Sequence, residues 1–141
     1  MKNKNHLFTL LLLTLAGTLF SGYLSGIKLF SGTCALNEPC PYFLGFPACY
    51  YGFILFAIML VITAIAYAIR TSKRWPTVCN AIISGLGVLF AGYFTVKEII
   101  NLFQSVTPTK YALILPSCSY GLIFFIVIFI LSLINAIRHQ E

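Results

Sequence analysis

Long apolar stretches separated by short polar segments make up most of this chain. Four stretches are long enough to cross a bilayer: 7–30, about 43–69, 78 to about 103, and about 111–137. A helix needs about 20 apolar residues to span the hydrocarbon core, where its backbone must satisfy its own hydrogen bonds. The pattern therefore predicts an all-α membrane protein, a bundle of four transmembrane helices.

Composition agrees with a lipid environment. Hydrophobic residues make up 60% of the chain and charged residues only 9%, too few to cover the surface of a soluble domain. Because the four stretches leave only short loops and tails, we expect a single transmembrane domain over 1–141, in contact with membrane lipid.

The basic residues sort by membrane side. Six lie in the N-terminal tail, the second loop and the C-terminal tail, namely Lys2, Lys4, Arg70, Lys73, Arg74 and Arg138, against Lys28, Lys97 and Lys110 on the other side. The positive-inside rule predicts cytoplasmic N- and C-termini in a multi-pass protein of the cell (inner) membrane. The net charge of +6 does not indicate nucleic acid, because the basic residues form no single patch with interleaved aromatics.

Two pairs of segments match at nearly one offset, which indicates an internal repeat. Residues 17–23 and 87–93 share five of seven residues, and residues 47–56 and 116–125 share six of ten. We interpret the bundle as two parallel two-helix repeats, about 7–69 and 77–138, related by a pseudo-twofold axis along the membrane normal. A match between helices 1 and 3 also argues against the alternative that residues 1 to about 25 are a cleaved signal peptide.

Four of the five cysteines fall on the outer side of this topology. Cys34 and Cys40 lie in the first outer loop, and Cys49 and Cys118 lie at the outer starts of helices 2 and 4, while Cys79 opens helix 3 on the cytoplasmic side. Thiols outside the cytoplasm meet oxidants, so the outer cysteines suggest disulfides. Cys34 and Cys40 suit either a structural staple or an exchanging pair.

Cys49 and Cys118 are matched by the repeat, and each follows a proline by two residues. The N–H groups and dipole of a helix N-terminus stabilise a thiolate, so both positions suit reactive sulfur. Small apolar residues in packed helices are the equally weighted alternative, and we interpret Cys79 as such a packing residue. No metal site is expected, because the histidines lie on the other membrane side from the outer cysteines.

The chain also resembles the bacterial vitamin K epoxide reductase family. The resemblance rests on residues 17–24, on Cys34 and Cys40, and on residues 45–52 leading into a helix. Members of that family are four-helix membrane enzymes that pass electrons from a thioredoxin-like partner, through a loop cysteine pair, to a second cysteine pair beside a bound quinone.

The resemblance implies that Cys34 and Cys40 are the loop pair and that Cys118 is the second cysteine of the helix-4 Cys-x-x-Cys motif. Leu115 stands where the first cysteine of that motif would be. Our hypothesis is that Cys49 replaces it by pairing with Cys118 across the bundle axis.

The function expected from these features is membrane thiol–disulfide oxidoreduction between an extracytoplasmic thiol partner, thioredoxin-like in the family, and a quinone. Aromatic residues expected to hold the quinone are Tyr51, Phe56, Tyr120 and Phe124. The alternative is a non-enzymatic, disulfide-braced membrane scaffold, subunit or small transporter. A transporter would need polar groups at mid-membrane, and the few candidates, Thr14, Thr63, Ser84 and Ser132, are expected to hydrogen-bond on their own helices.

Overall fold

The computed structural model describes residues 2–31, 42–71, 73–104 and 117–138. Its four helices are α1 (Lys2–Ser31), α2 (Ala48–Ala68), α3 (Trp75–Gln104) and α4 (Ser117–Arg138). Each helix contains a segment long and apolar enough to cross a membrane. The four predicted transmembrane helices are therefore confirmed, and the protein is a multi-pass membrane protein.

A short β-hairpin precedes the second helix. Strands β1 (Tyr42–Phe43) and β2 (Phe46–Pro47) pair in antiparallel register, joined by Leu44 and Gly45, whose φ angles are 52° and 85°. Two consecutive positive φ angles are typical of the tight turns that close two-residue hairpins. The predicted start near residue 43 was wrong: α2 begins at Ala48, because the backbone turns here before it enters the helix.

The connection between α2 and α3 is closed by a cap at the end of α2. Thr71 N–H donates to the Ala66 carbonyl at 3.2 Å, and Arg70 N–H donates to the Tyr67 carbonyl at 3.2 Å. Arg70 takes the left-handed conformation, with φ of 51°. These contacts form a Schellman motif, which satisfies the last carbonyls of the helix. On the other side of the connection, Pro76 lies in the first turn of α3, where a missing backbone N–H leaves no helical hydrogen bond unmade.

Neighbouring helices run antiparallel. The strongest packing joins α1 to α2 and α3 to α4, while α2 with α3 and α1 with α4 close the bundle. The molecule therefore has two ends. The basic end holds the start of α1, the α2–α3 connection and the end of α4, and the hairpin end holds the hairpin and the starts of α2 and α4.

The core follows one stripe on each helix. Buried positions on α1 are Leu7, Leu10, Thr14, Gly17, Ser21 and Leu24, and the stripe on α3 consists of Thr77, Asn80, Ser84, Gly87, Ala91 and Phe94, with Pro76 and Thr95 buried next to it. Phe56, Met59, Phe125 and Ile128 fill the centre from α2 and α4. Large apolar side chains on the opposite faces are exposed, as expected for helices whose outer surface meets lipid.

Three of the four hydroxyls expected to hydrogen-bond on their own helices do so. Thr14 donates to the Leu10 carbonyl at 2.8 Å, Thr63 to Met59 at 2.7 Å and Ser84 to Asn80 at 2.6 Å. The expectation for Ser132 was wrong, since its buried Oγ has no hydrogen-bond partner among the described residues.

Candidate functional site

An aromatic cavity lies between the helices in the half of the bundle nearest the hairpin. Its volume is about 50 Å³, and together with the space open to the outside it comes to about 500 Å³. All four helices contribute to the lining, which consists of Phe20, Ser21, Leu24, Ala48, Cys49, Gly52, Phe56, Phe90, Ala91, Phe94, Gly121 and Phe125. The cavity volume by itself is below the range of pockets for small organic molecules, about 300–1,000 Å³, so a ligand would also occupy the space open to the outside.

Two stacked rings close the bottom of the aromatic cavity. Phe56 and Phe125 lie with ring centroids 4.2 Å apart and planes 15° apart, and both are almost fully buried. Each ring lies against a glycine of the neighbouring helix. A Cβ atom on Gly17 would overlap the Phe56 ring, and one on Gly87 would overlap the Phe125 ring. The glycines therefore decide where the two rings can lie.

The side walls are aromatic as well. Phe90 and Phe94 of α3 meet edge to face at 5.0 Å, and Phe20 of α1 lines the opposite part of the cavity. Ser21 supplies a hydroxyl to the lining, but its Oγ donates to the Gly17 carbonyl at 2.7 Å. The wall therefore offers apolar and π surfaces, which favour a flat apolar ligand.

Cys49 brings a thiol to the wall of this cavity. It is the second residue of α2, directly after the hairpin, and it is half-buried. The first N–H groups of a helix have no intrahelical acceptor, so the thiol lies where partial positive charge is concentrated. A thiol in such a place can form a thiolate and exchange with disulfides.

The other cysteines of the predicted site are less fully described. Cys118 is the second residue of α4, as Cys49 is of α2, but its side chain lies outside the described residues. Cys34 and Cys40 also lie outside them, so the predicted pairings stay predictions. Cys79, expected to be a packing residue, lies near the basic end in the first turns of α3 and forms no disulfide with a described residue.

The structure separates the four aromatics that were expected to hold a quinone. Among the described residues, Phe56 lines the cavity, whereas Tyr51, Tyr120 and Phe124 are not part of its wall. Tyr51 packs on Phe90 with centroids 5.6 Å apart, and Tyr120 packs on Phe20 at 6.2 Å. Phe124 meets Phe56 edge to face at 6.3 Å. These three residues therefore pack against the rings that line the cavity and are not part of the lining themselves.

Sequence reasoning missed most of the aromatic lining. Phe20, Phe90, Phe94 and Phe125 line the cavity, although none of them was chosen from the sequence. The repeat alignment held part of the necessary information, because it matched Gly17 with Gly87 and Phe56 with Phe125. In both halves a glycine on one helix is therefore combined with a phenylalanine on the next, and a small residue facing a large ring allows a close helix contact.

A metal centre finds no support in the described part of the chain, where no three His, Cys, Asp or Glu side chains come together. The comparisons with known proteins give no family: no protein-family model matches, and no curated protein or solved structure is significantly similar.

Proposed function

We propose that this protein is a membrane thiol–disulfide oxidoreductase that passes electrons from an extracytoplasmic dithiol protein to a quinone. The observation that carries the proposal is the thiol of Cys49 in the wall of the aromatic cavity. A thiol, an apolar aromatic pocket and an opening near one membrane surface are the parts that such a reaction needs.

The proposed electron path starts at the hairpin end. Cys34 and Cys40, as a disulfide, accept two electrons by exchange with the partner's dithiol, which leaves the partner oxidised and the loop pair reduced. A second exchange passes the electrons to a disulfide between Cys49 and Cys118. The resulting dithiol is then oxidised by the quinone, and two electrons and two protons convert the quinone to a quinol.

The aromatic cavity matches a quinone in its π surfaces. A quinone ring is flat, and we expect it to stack on Phe90 and Phe94 or above the Phe56–Phe125 pair, with the lining rings moving apart because the cavity volume is only about 50 Å³. Its isoprenoid tail would leave between two helices into the lipid. Cys49 would then lie beside the ring that accepts the electrons.

We further propose that the bundle arose from two parallel two-helix units. Pairs of equivalent contacts, related by a shift of 69 or 70 residues along the chain, support this origin. The Gly17–Phe56 contact corresponds to Gly87–Phe125, and the Phe20–Tyr120 ring pair corresponds to Phe90–Tyr51. The buried stripes of α1 and α3 also coincide when they are shifted by 70 residues. A pseudo-twofold axis would then pass between Phe56 and Phe125, through the cavity.

The proposed orientation puts the basic end in the cytoplasm, since Lys2, Lys4, Arg70, Lys73 and Arg74 all lie there. The hairpin end and the cysteines of the reaction would then face the periplasm or the cell exterior. That side is the one where protein disulfides form and persist.

The test uses the full chain in liposomes that contain ubiquinone, with dithiothreitol as the dithiol and quinol formation followed by absorbance. We expect turnover in the native protein and a loss of at least tenfold in Cys49→Ala and in Cys118→Ala. Cys79→Ala is the matched control, because it removes a thiol near the opposite end, and it should retain activity. Unchanged turnover in Cys118→Ala, or no turnover in the native protein, would refute the mechanism and leave the scaffold alternative.

A second experiment separates the cavity from the thiols. A Cβ on Gly52 meets no atom within 4 Å although Gly52 lines the cavity, so Gly52→Leu fills the space without a backbone clash. Gly26→Leu is the control, since Gly26 also has open space but does not line the cavity. We expect Gly52→Leu to raise the KM for quinone more than tenfold and Gly26→Leu to leave it unchanged.

A further inference from the structure

A second recess lies on the outer surface of the bundle, between α3 and α4, and is separate from the aromatic cavity. This α3–α4 groove contains about 1350 Å³ of empty space, part of it open to the outside. Its lining consists of Arg74, Val78, Ala81, Ile82, Gly85, Leu86, Val88, Leu89, Phe129, Leu133, Ala136 and Ile137. One charged residue, Arg74, therefore stands at the end of an otherwise apolar surface.

Small residues make the groove. Ala81 and Gly85 lie one turn apart on α3, and Ala136 lies on α4. The sequence 70 residues earlier has Leu11 and Leu15 in place of Ala81 and Gly85, and 69 residues earlier it has Tyr67 in place of Ala136.

In the first half of the chain the residues at these three positions are larger. Tyr67 packs on Phe8 with ring centroids 6.1 Å apart, and Leu15 is exposed on α1. The two halves therefore differ in side-chain volume at these three positions, although the buried stripes of α1 and α3 are alike in spacing. Other lining positions differ in the opposite direction, since Leu86, Leu133 and Ile137 are larger than their counterparts Ala16, Ala64 and Ala68.

Charge distinguishes the two ends of the groove. Arg74 and its neighbour Lys73 are exposed at the basic end, just before α3 begins at Trp75. From there the apolar lining continues along α3 through Ile82 to Leu89, toward mid-membrane. A guanidinium at the membrane surface binds a phosphate through paired N–H donors, and basic sites between transmembrane helices bind anionic headgroups.

We propose that the α3–α4 groove is a binding site for an anionic phospholipid, with the lipid phosphate on Arg74 and an acyl chain along Ala81, Gly85 and Leu89. The choice of an anionic phospholipid follows from the depths at which the charge and the apolar recess lie. The charge lies at the depth of the headgroups, and the apolar recess lies at the depth of the chains.

The only tryptophan of the chain, Trp75, is next to Arg74 and 42% exposed, so it reports on lipid at this place. The experiment reconstitutes the full chain in mixtures of phosphatidylcholine and dibrominated phosphatidylglycerol, and measures quenching of Trp75 fluorescence. We expect the native protein to favour the anionic lipid about fivefold, the effect of one basic residue near the surface. Arg74→Gln should bring this ratio close to one.

Arg70→Gln is the matched control for charge. It removes the same charge from the same connection, but Arg70 does not line the groove. We expect it to keep the anionic preference. An equal loss in both variants would show a general surface-charge effect and overturn the proposal, as would a native protein without any preference.

Variants that place larger side chains in the α3–α4 groove test the role of its apolar lining. Ala81→Leu introduces the residue that the first half carries at the matched position, and it should lower the anionic preference at least twofold. Gly85→Leu should act in the same direction, although its Cβ would lie 3.3 Å from Phe129 Cε2 and that ring must shift. Ala64→Leu, on the exposed face of α2, is the control for added bulk and should leave the preference unchanged.

The remaining occupant to test is a second copy of the chain, because small residues one turn apart also favour helix–helix contact. Light scattering of the solubilised protein distinguishes the two. A dimer that Gly85→Leu converts to a monomer would assign the groove to a protein interface and overturn the proposal. A monomer in both proteins, with the lipid preference reduced by the variant, supports it.

Discussion

The two halves of this bundle are alike around the two central rings and different where they face outward. Gly17 and Gly87 each lie against a phenylalanine ring, and the two rings, Phe56 and Phe125, stack on one another in the centre. On the outer surface, the α3–α4 groove has no bulk where α1 carries Leu11 and Leu15. A helix interface constrains volume on both sides at once, whereas a lipid-facing position accepts most apolar side chains.

The inner polar residues show a second difference between the halves. Asn80 on α3 donates from Nδ2 to Thr63 Oγ1 at 2.8 Å, while the position 70 residues earlier is Leu10. Both residues are fully buried. One interface between the halves is therefore joined by a hydrogen bond. The matched positions on the other side are Leu10 and Ser132, and the Ser132 Oγ has no hydrogen-bond partner among the described residues.

The largest expected effect concerns the central stack. Phe56→Ala and Phe125→Ala should each lower the free energy of unfolding by about 3–5 kcal/mol, because each leaves a cavity the size of a ring. Unfolding in mixed micelles with increasing denaturing detergent measures this. Ile58→Ala, on the exposed face of α2, is the control and should cost far less. Strongly unequal losses for the two rings would contradict the likeness of the two halves.

The glycines should respond next most strongly. Gly17→Ala and Gly87→Ala should each destabilise the bundle by about 1–3 kcal/mol, because the new methyl group overlaps a ring. Gly121→Ala, where a Cβ meets nothing within 4 Å, should instead stabilise α4 by about 0.5–1 kcal/mol. Combining Gly87→Ala with Phe125→Leu should recover part of the loss, and no recovery would show that the cost lies elsewhere.

The polar difference gives a smaller and asymmetric prediction. Thr63→Val removes the acceptor of Asn80 and should cost about 1–3 kcal/mol, since Asn80 Oδ1 already lacks a hydrogen-bond partner among the described residues. Asn80→Leu, which copies the first half, should cost less than about 1 kcal/mol because it leaves Thr63 bonded to the Met59 carbonyl. Equal costs for the two variants would contradict this account.

A small gain in stability is expected at the end of α2. Arg70→Gly should stabilise the fold by about 1 kcal/mol, because glycine takes the left-handed conformation without the penalty of a Cβ. Arg70→Ala keeps that penalty and should give no gain in stability. The difference in the free energy of unfolding between the two variants therefore measures the contribution of the backbone conformation at this position. A gain of equal size in Arg70→Ala would attribute the effect to the lost charge.

The transmembrane helices were predictable because hydropathy depends on composition over a window and not on packing. The boundary of α2 was not, since residues 42–47 are apolar enough to extend the span although they form a hairpin. Gly45 and Pro47 were the available indication, because both residue types interrupt helices. Of the candidate site, the sequence placed Cys49 and Cys118 at helix starts, and both are the second residue of their helix.

The lining of the aromatic cavity could not be predicted in the same way. Aromatic residues occur on all faces of these helices, so Tyr51 and Phe56 are equally plausible from sequence although only Phe56 lines the cavity. The face that a ring presents depends on how each helix is rotated against its neighbours. That rotation is set by the contact of Gly17 and Gly87 with the two central rings.

Sequence by itself determined that the chain crosses the membrane four times, that six of its nine basic residues lie at one end, and that Cys49 and Cys118 begin two helices. These properties follow from composition, from residue order and from helix-breaking residues, which act locally. Only the tertiary structure decided that Phe20, Phe90 and Phe94 surround the thiol of Cys49, and that the second half has a groove on its outer face. Cavities depend on side-chain volumes summed across several helices, and no single stretch of sequence contains that sum.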